Sequence, residues 1–184
     1  MNNGLLIQKA YLFAAKAHEG QLRKDGIPYI AHPVAVALEL AKNGASDEVI
    51  CAGFLHDTIE DAGISKEELL KNFTKKTAEL VAADSENKNL SWEERKSFTI
   101  NELSQDSNRD LKLLICADKL DNLRNIQTQQ SLIGNAVWDQ FKRGKAVQQQ
   151  YYHTLGEAMR ELEWIPMYQE YKKLVKEIFD DYSE

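Results

Sequence analysis

The segment GFLHDTIEDAG, residues 53–63, places one imidazole and three carboxylates directly behind an apolar run. Residues 49–55 carry no charge, which is typical of a helix buried on all sides. Such a helix brings His56 and Asp57 into the interior, where an ionised carboxylate needs a counter-charge or a metal ion. The alternative for an isolated His-Asp pair is a helix end with solvated acids.

Glu60 and Asp61 follow His56 and Asp57 by one helical turn, so each pair repeats the directions of the other. The segment therefore predicts two layers of polar groups. The first layer suits a metal ion. The second layer suits two carboxylates that orient a water molecule or move its proton.

Asp118 occupies a position where the helical period expects a core residue. The shared face consists of Leu111, Leu114, Ile115, Asp118 and Asn122, at i, i+3, i+4, i+7 and i+11. A buried aspartate of this kind requires a cation. The sequence leaves two choices open, a metal ion or a salt bridge to an arginine such as Arg23 or Arg124.

His32, in the motif YIAHP, begins a helix after a loop rich in glycine and proline. A lone histidine there is commonly a capping or packing residue. The complete set of candidate ligands is His32, His56, Asp57 and Asp118. Two imidazoles and two carboxylates from three helices suit Mn(II), Fe(II) or Zn(II). Four protein ligands leave coordination positions for water and substrate, as catalytic metal sites require.

The elements that position these residues are helical almost throughout. Residues 20–33 read as an ordered loop, because they hold two glycines and two prolines. Ser65 with Glu68 and Ser91 with Glu94 are capping boxes that predict helix starts. The predicted helices, besides a first one around residues 7–18, cover about 34–43, 47–60, 65–72, 75–83, 91–103, 111–127 and 136–161, with a last one opening at Pro166. No run alternates with period two, so the sequence predicts an all-α fold in one domain.

The composition excludes several functional classes. The formal net charge of -6 and the pI near 5.3 argue against a nucleic-acid or membrane-surface partner, which would select a basic chain. Cys51 and Cys116 lie in apolar contexts without a CxxC pair, as expected of buried thiols in a reducing compartment. No segment is long and apolar enough to cross a membrane, and the N-terminus lacks a secretory signal. We therefore expect a cytoplasmic protein.

Three blocks resemble a known family when they are taken together. GQLRKDGIPYIAHP, LHDTIED and ADKLDNLRN, in this order, look like the hydrolase domain of RelA/SpoT-type proteins, which carries the HD metal-hydrolase pattern. The chain length and the WEERK segment resemble stand-alone small alarmone hydrolases, including the animal SpoT homologues. The resemblance runs from about residue 10 to residue 125 and more weakly to residue 161.

The resemblance implies a single HD-domain bundle of about eight to ten helices, with a motif core at about 10–126 and C-terminal helices at about 136–180. It implies Mn(II), with Fe(II) or Zn(II) as alternatives, and removal of the 3′-pyrophosphate of (p)ppGpp to leave GDP or GTP. His32, His56, Asp57 and Asp118 match the metal ligands, and Glu60 and Asp61 match the catalytic acids. The positions that match substrate contacts are Arg23, Lys24, Tyr29 and Asn122.

A basic cluster at Lys142, Arg143 and Lys145 either completes a phosphate pocket, chiefly through Lys145, or forms a solvated helix face. Departures from the family pattern at residues 85–89 and at Asn125 bear on nucleotide preference. The rival enzyme hypothesis is an HD phosphohydrolase of another nucleotide, such as NADPH, (p)ppApp or a deoxynucleotide. The alternative hypothesis without catalysis is a module that binds a nucleotide as a sensor and does not turn it over. No motif assigns an oligomeric state.

Overall fold

The computed structural model describes residues 3–105 and 108–180, and in these ranges the chain is helical apart from short connections. A single isolated bridge pairs Leu22 with Pro28 within this part of the chain. The prediction of an all-α fold is confirmed. The α-helices are α1 (Asn3–Ala17), α2 (Ala31–Lys42), α3 (Asp47–Leu55), α4 (Thr58–Ala62), α5 (Lys66–Asn72), α6 (Lys75–Asp84), α7 (Trp92–Gln105), α8 (Arg109–Ile133), α9 (Gly144–Ala158) and α10 (Pro166–Val175). Two 3₁₀ segments, Gly134–Gln140 and Arg160–Leu162, and a π-helical turn, Lys176–Asp180, complete the described chain.

Helix α3 lies at the centre of the N-terminal half and packs against α1, α2, α6 and α8. Every residue from Val49 to Leu55 is buried, as the uncharged run predicts. Burial on all faces is possible because the segment has no polar side chain that needs water. The C-terminal end of α3 therefore delivers His56 to the interior, where it is 1% exposed.

Gly53 allows α3 to approach α2 closely. A Cβ at this position would lie 2.7 Å from Leu40 Cδ1 and 3.1 Å from the Ala37 Cα. Both contacts belong to α2, and one of them is with its backbone. The missing side chain thus sets the spacing of the two helices whose facing ends carry His32 and His56.

Helix α8 spans the molecule and contacts α2, α3, α6 and α10. It continues to Ile133, six residues past the predicted end near Gln127. The sequence predicts a connection over QTQQSLIGN, but its first seven residues belong to α8, because an exposed polar face does not end a helix. The helix ends at Gly134, whose φ of 58° is incompatible with continuing a right-handed helix.

Two predicted helices are divided in the structure. The helix predicted for 47–60 is interrupted at His56 and Asp57, where the Thr58 hydroxyl donates to the Leu55 carbonyl at 2.6 Å and replaces a helical partner. In place of one helix predicted for 136–161, the structure has a 3₁₀ segment that ends at Gln140, a break at residues 141–143, and then α9. Gly144 has a φ of 67°, which a continuous helix cannot contain.

Both capping boxes mark helix starts. Ser91 and Glu94 exchange hydrogen bonds in both directions, and Ser65 accepts from the Glu68 amide. Cys51 and Cys116 are buried free thiols. Across residues 3–105 and 108–180, no helix has the length and apolar character that a bilayer crossing demands.

Candidate active site

Three helices bring two imidazoles and one carboxylate to a common point. His32 lies in the first turn of α2, His56 at the C-terminal end of α3 and Asp118 in the middle of α8. The two Nε2 atoms are 3.2 Å apart, and His32 Nε2 is 3.2 Å from Asp118 Oδ1. All three side chains are buried, and one ligand atom from each lies within 4.8 Å of the others.

The outer nitrogens of both imidazoles are fixed by acceptors. His56 Nδ1 donates to the Gly53 carbonyl at 2.9 Å, and His32 Nδ1 donates to Asp121 Oδ2 at 2.6 Å. When the rings are neutral, as metal binding requires, each one presents the lone pair of Nε2 to the centre. Two lone pairs that face each other beside a carboxylate need a cation between them, and this is the usual arrangement of metal-ligating histidines.

Asp57 and Asp118 complete the centre from two sides. Asp57 Oδ2 lies 2.9 Å from His56 Nε2 and 3.7 Å from His32 Nε2, and it accepts from the Tyr29 hydroxyl at 2.6 Å. Asp118 Oδ1 accepts from Asn122 Nδ2 at 2.7 Å. The four predicted ligands are therefore together in the structure.

The charges of this centre attract a cation. Burial lowers the pKa of His56, but the Asp57 and Asp118 carboxylates outweigh burial and raise that pKa to about 10. Burial raises the pKa of Asp118, while Lys119 and the two histidines hold it well below its ordinary value. A region that attracts a proton so strongly also favours a divalent ion.

Neither arginine considered from the sequence is a counter-ion of Asp118. Arg23 NH1 donates to Asp121 Oδ2 at 2.6 Å, and Arg124 bridges Glu39 and Glu170. The residue that pairs with Asp118 is its neighbour Lys119, through Oδ2. Oδ1 therefore faces the histidines and Asn122. The donor set, two imidazoles with two carboxylates, fits Mn(II), Fe(II) or Zn(II).

The second acidic layer lies at the edge of this centre. Glu60 Oε2 accepts from the Glu86 amide at 3.3 Å, and burial together with nearby carboxylates raises the pKa of Glu60. Asp61 is nearer the solvent, where Oδ1 pairs with Lys88 at 2.7 Å and Oδ2 lies 3.3 Å from the Tyr29 hydroxyl. Glu60 lines the cleft described next, whereas Asp61 stands at its rim.

A cleft of about 430 Å³ opens onto the candidate metal centre. One part of its wall is apolar and comprises Ile115, Ile126, Val137, Phe141 and Tyr152. Another part is cationic and comprises Arg23, Lys24, Arg95, Lys96 and Lys119. A cleft with an apolar wall, several cations and a metal centre matches a ligand with a ring and several phosphate groups.

Four of the five predicted substrate contacts line this cleft, namely Arg23, Lys24, Tyr29 and Asn122. The ammonium of Lys24 lies 4.6 Å from the Phe141 ring centroid and donates to the Gln140 carbonyl at 3.0 Å. The structure does not bring Lys145 into the cleft wall; its ammonium lies 5.8 Å from the Trp138 ring centroid. Arg143 pairs with Glu93 at 2.6 Å, on an exposed surface.

Three residues of the site, two of them in the cleft wall, are not among the sequence predictions. Asp121 supports His32, and its only signal is its position three residues after Asp118. Glu86 pairs with Arg95 at 2.8 Å and with Lys96 at 2.6 Å, and nothing in its local sequence predicts this. Asp84 lies at the end of α6, where burial, together with the Asp118 and Asp57 carboxylates, raises its pKa to about 7.

Comparison with known proteins gives the same fold and the same motif region. The family model described as "HD domain" matches residues 10–141. The solved structure of lmo0812 from Listeria monocytogenes EGD-e has a TM-score of 0.77 and 41% identity, and the match covers 82% of this chain and 99% of that one. A metazoan ortholog of SpoT, described as hydrolysing ppGpp, has a TM-score of 0.79 at 24% identity over 94% of each chain, which shows a shared fold.

Curated relatives match through one part of longer proteins. The Aquifex aeolicus protein named guanosine-3′,5′-bis(diphosphate) 3′-pyrophosphohydrolase is 35% identical over 122 residues, 65% of this chain and 18% of its own length. The Escherichia coli K12 bifunctional (p)ppGpp synthase/hydrolase SpoT is 35% identical over 125 residues, with the same two shares. A Myxococcus xanthus GTP pyrophosphokinase is 36% identical over 129 residues, 66% of this chain and 17% of that protein. The chain thus spans less than a fifth of the length of these relatives.

Proposed function

The chain belongs to the HD-domain family, and we propose that it is a metal-dependent hydrolase that removes the 3′-pyrophosphate of ppGpp and pppGpp. One observation carries this proposal: the candidate metal centre opens into a cleft that is lined by five cationic side chains. The centre consists of His32, His56, Asp57 and Asp118. The names of the Aquifex aeolicus and Escherichia coli relatives support the choice of nucleotide.

His32, His56, Asp57 and Asp118 would hold one divalent ion, for which we propose Mn(II). When bound, such an ion supplies Lewis-acid activation of water and neutralises phosphate charge. The chain supplies the orientation: Asp121 and the Gly53 carbonyl fix the two imidazole rings, and Tyr29 fixes the carboxylate of Asp57. This support keeps the centre in one geometry before substrate arrives.

Glu60 and Asp61 would act on the attacking water. In the reaction, the water oxygen bonds to the phosphorus attached at the ribose 3′-oxygen, the bond between that phosphorus and the 3′-oxygen breaks, and the 3′-oxygen gains a proton. Glu60 would accept a proton of the water, because its carboxylate lines the cleft and its raised pKa brings it nearer to neutrality. Asp61, held by Lys88 at the rim, would orient the approach.

The nucleotide would be held by the remaining wall of the cleft. Arg23 and Lys24 lie in the loop before α2 and line the cleft, where they would bind 5′-phosphate oxygens. Asn122 donates to Asp118, which leaves its amide oxygen for a ribose hydroxyl. The apolar wall, which includes Phe141 and Ile126, suits the base.

The test is an assay of the purified protein, stripped with chelator and reloaded with Mn(II), Fe(II) or Zn(II). The substrate panel contains ppGpp, pppGpp, (p)ppApp, NADPH and deoxynucleotides. We expect about one ion per chain by elemental analysis, and release of pyrophosphate with GDP from ppGpp. Faster release of orthophosphate from NADPH would instead assign the chain to another nucleotide. Absence of turnover on every nucleotide with metal bound would identify a sensing module.

A further inference from the structure

Lys119 is a cleft residue whose ammonium group has more N–H donors than its hydrogen bond to Asp118 uses. It lines the cleft, and 19% of its side chain is exposed. An ammonium carries three N–H donors. Within the described residues, the hydrogen bond recorded for its Nζ goes to Asp118 Oδ2. A largely dry ammonium beside a metal centre is a binding position for oxygen atoms of an anionic ligand.

The geometry of α8 places Lys119 and Arg23 on different flanks of the metal centre. Successive residues of an α-helix are rotated by about 100°, so Lys119 projects about 100° to one side of Asp118 and Asp121 about 60° to the other. Arg23 is bonded to Asp121 and therefore belongs to the second flank. The cleft has cations on both sides of the centre, and a ligand with one phosphate group would use one side.

The flank of Lys119 holds two further cations. Lys96 lies close enough to Lys119 for their charges to repel, and its ammonium is 5.1 Å from the Tyr151 ring centroid. The Tyr151 hydroxyl neighbours Lys119, is buried, and has no hydrogen-bond partner among residues 3–105 and 108–180. Arg95 adjoins Lys96 and shares the Glu86 carboxylate with it. Arg95 NH1 also lies 3.9 Å from Glu60 Oε1. Each of the three cations on this flank carries more N–H donors than its hydrogen bonds to described residues use, so oxygen atoms of a ligand can be bound here.

We propose that Lys119, assisted by Lys96, binds the distal phosphate of a terminal pyrophosphate whose proximal phosphorus sits at the metal centre. The inference rests on the proposed function and makes it more specific, because it gives a structural reason for pyrophosphate release in place of orthophosphate release. The distal phosphate forms and breaks no bond in the reaction. Its charge, offset by Lys119, would repel the incoming water oxygen less strongly.

The test compares ppGpp with guanosine 5′-diphosphate 3′-monophosphate, which lacks the distal phosphate. We expect Lys119→Gln to lower kcat/KM at least ten-fold more for ppGpp than for the monophosphate. Lys24→Gln, on the other flank, serves as the matched control and should lower both values by the same factor. Lys119→Arg, which retains the charge, should recover part of the preference for ppGpp.

A binding measurement makes the inference independent of turnover. Pyrophosphate and orthophosphate are titrated into the Mn(II)-loaded protein, and we expect Lys119→Gln to weaken pyrophosphate binding at least ten-fold more than orthophosphate binding. Because Lys119→Gln also removes the partner of Asp118, Lys96→Gln is measured beside it and should shift the same ratio in the same direction. Unchanged ratios in both metal-loaded variants would overturn the inference even if the wild type cleaves ppGpp. Wild-type protein that binds pyrophosphate through Lys119 and leaves ppGpp intact would overturn the proposed function alone.

Discussion

The candidate metal centre and the cationic walls of the cleft are built by different physical means. In the centre, His32, His56 and Asp118 are at most 5% exposed, and each contacts the centre while holding a second partner outside it. On the walls, Lys24 is exposed and Lys96 is part-buried, and both bind protein oxygens that a phosphate can replace. A buried centre cannot reorient without leaving a charge unpaired, whereas an exposed wall cation such as Lys24 exchanges partners at small cost. The comparison indicates a rigid reaction centre beside an adaptable substrate clamp.

The largest effect is expected where the centre itself is broken. His56→Ala or Asp118→Ala removes a ligand and leaves the remaining buried charges without their partner. We expect both variants to lose the stoichiometric metal and to show no measurable turnover. Elemental analysis after Mn(II) loading and gel filtration checks this. Full metal retention in either variant would show that these residues are not ligands.

A second effect separates chemistry from metal binding. Glu60→Gln and Asp61→Asn each remove a charge with little change of shape. If the carboxylates act on the water, kcat should fall by about 10²- to 10⁴-fold while metal content stays constant. Glu67→Gln, on the exposed face of α5, is the matched control and should behave as wild type. If Glu60→Gln and Asp61→Asn both lose the ion, these residues are metal ligands and not groups that act on the water.

Loss of a residue that holds a ligand in place should lower metal affinity less than loss of the ligand itself. Asp121→Asn weakens the acceptor that fixes His32 Nδ1, and such changes cost about 10- to 100-fold in metal affinity. Competition with a fluorescent chelator measures this affinity. Asp110→Asn, on the same helix but paired with the distant Lys76, should leave it unchanged. Equal affinities in the two variants would remove Asp121 from the metal site.

Loss of a wall cation should weaken substrate binding and leave the metal in place. Arg23→Ala and Lys24→Ala each remove a charged hydrogen bond to phosphate, which is worth about 1.5–3 kcal/mol of binding free energy. We expect a raised KM for ppGpp with the metal retained. Arg143→Ala, which breaks an exposed pair with Glu93, should change kcat/KM by less than about two-fold. If Arg143→Ala lowers kcat/KM as much as Lys24→Ala does, the phosphate-binding residues lie nearer to α9 than proposed.

The sequence by itself determined the fold class, the helix starts at the two capping boxes and the choice of four candidate ligands. These features depend on local rules: helical periodicity, capping side chains and the cost of placing a charge at a core position such as Asp118. The burial of Val49 to Leu55 followed from the same reasoning. The helix interruptions at His56–Asp57 and at Gly144 were missed, because competing hydrogen bonds and a positive φ do not alter an apolar pattern.

Only the tertiary structure decided which distant groups meet. Asp121 supports His32 across 89 positions, and Arg23 reaches Asp121 across 98. The close approach of α2 and α3 depends on what a side chain at Gly53 would meet in the other helix. The division of the cations between two flanks depends on the rotation of α8 against the loop before α2. Local propensity contains no information on such pairings, because their free energy arises when packed helices exclude water around both partners.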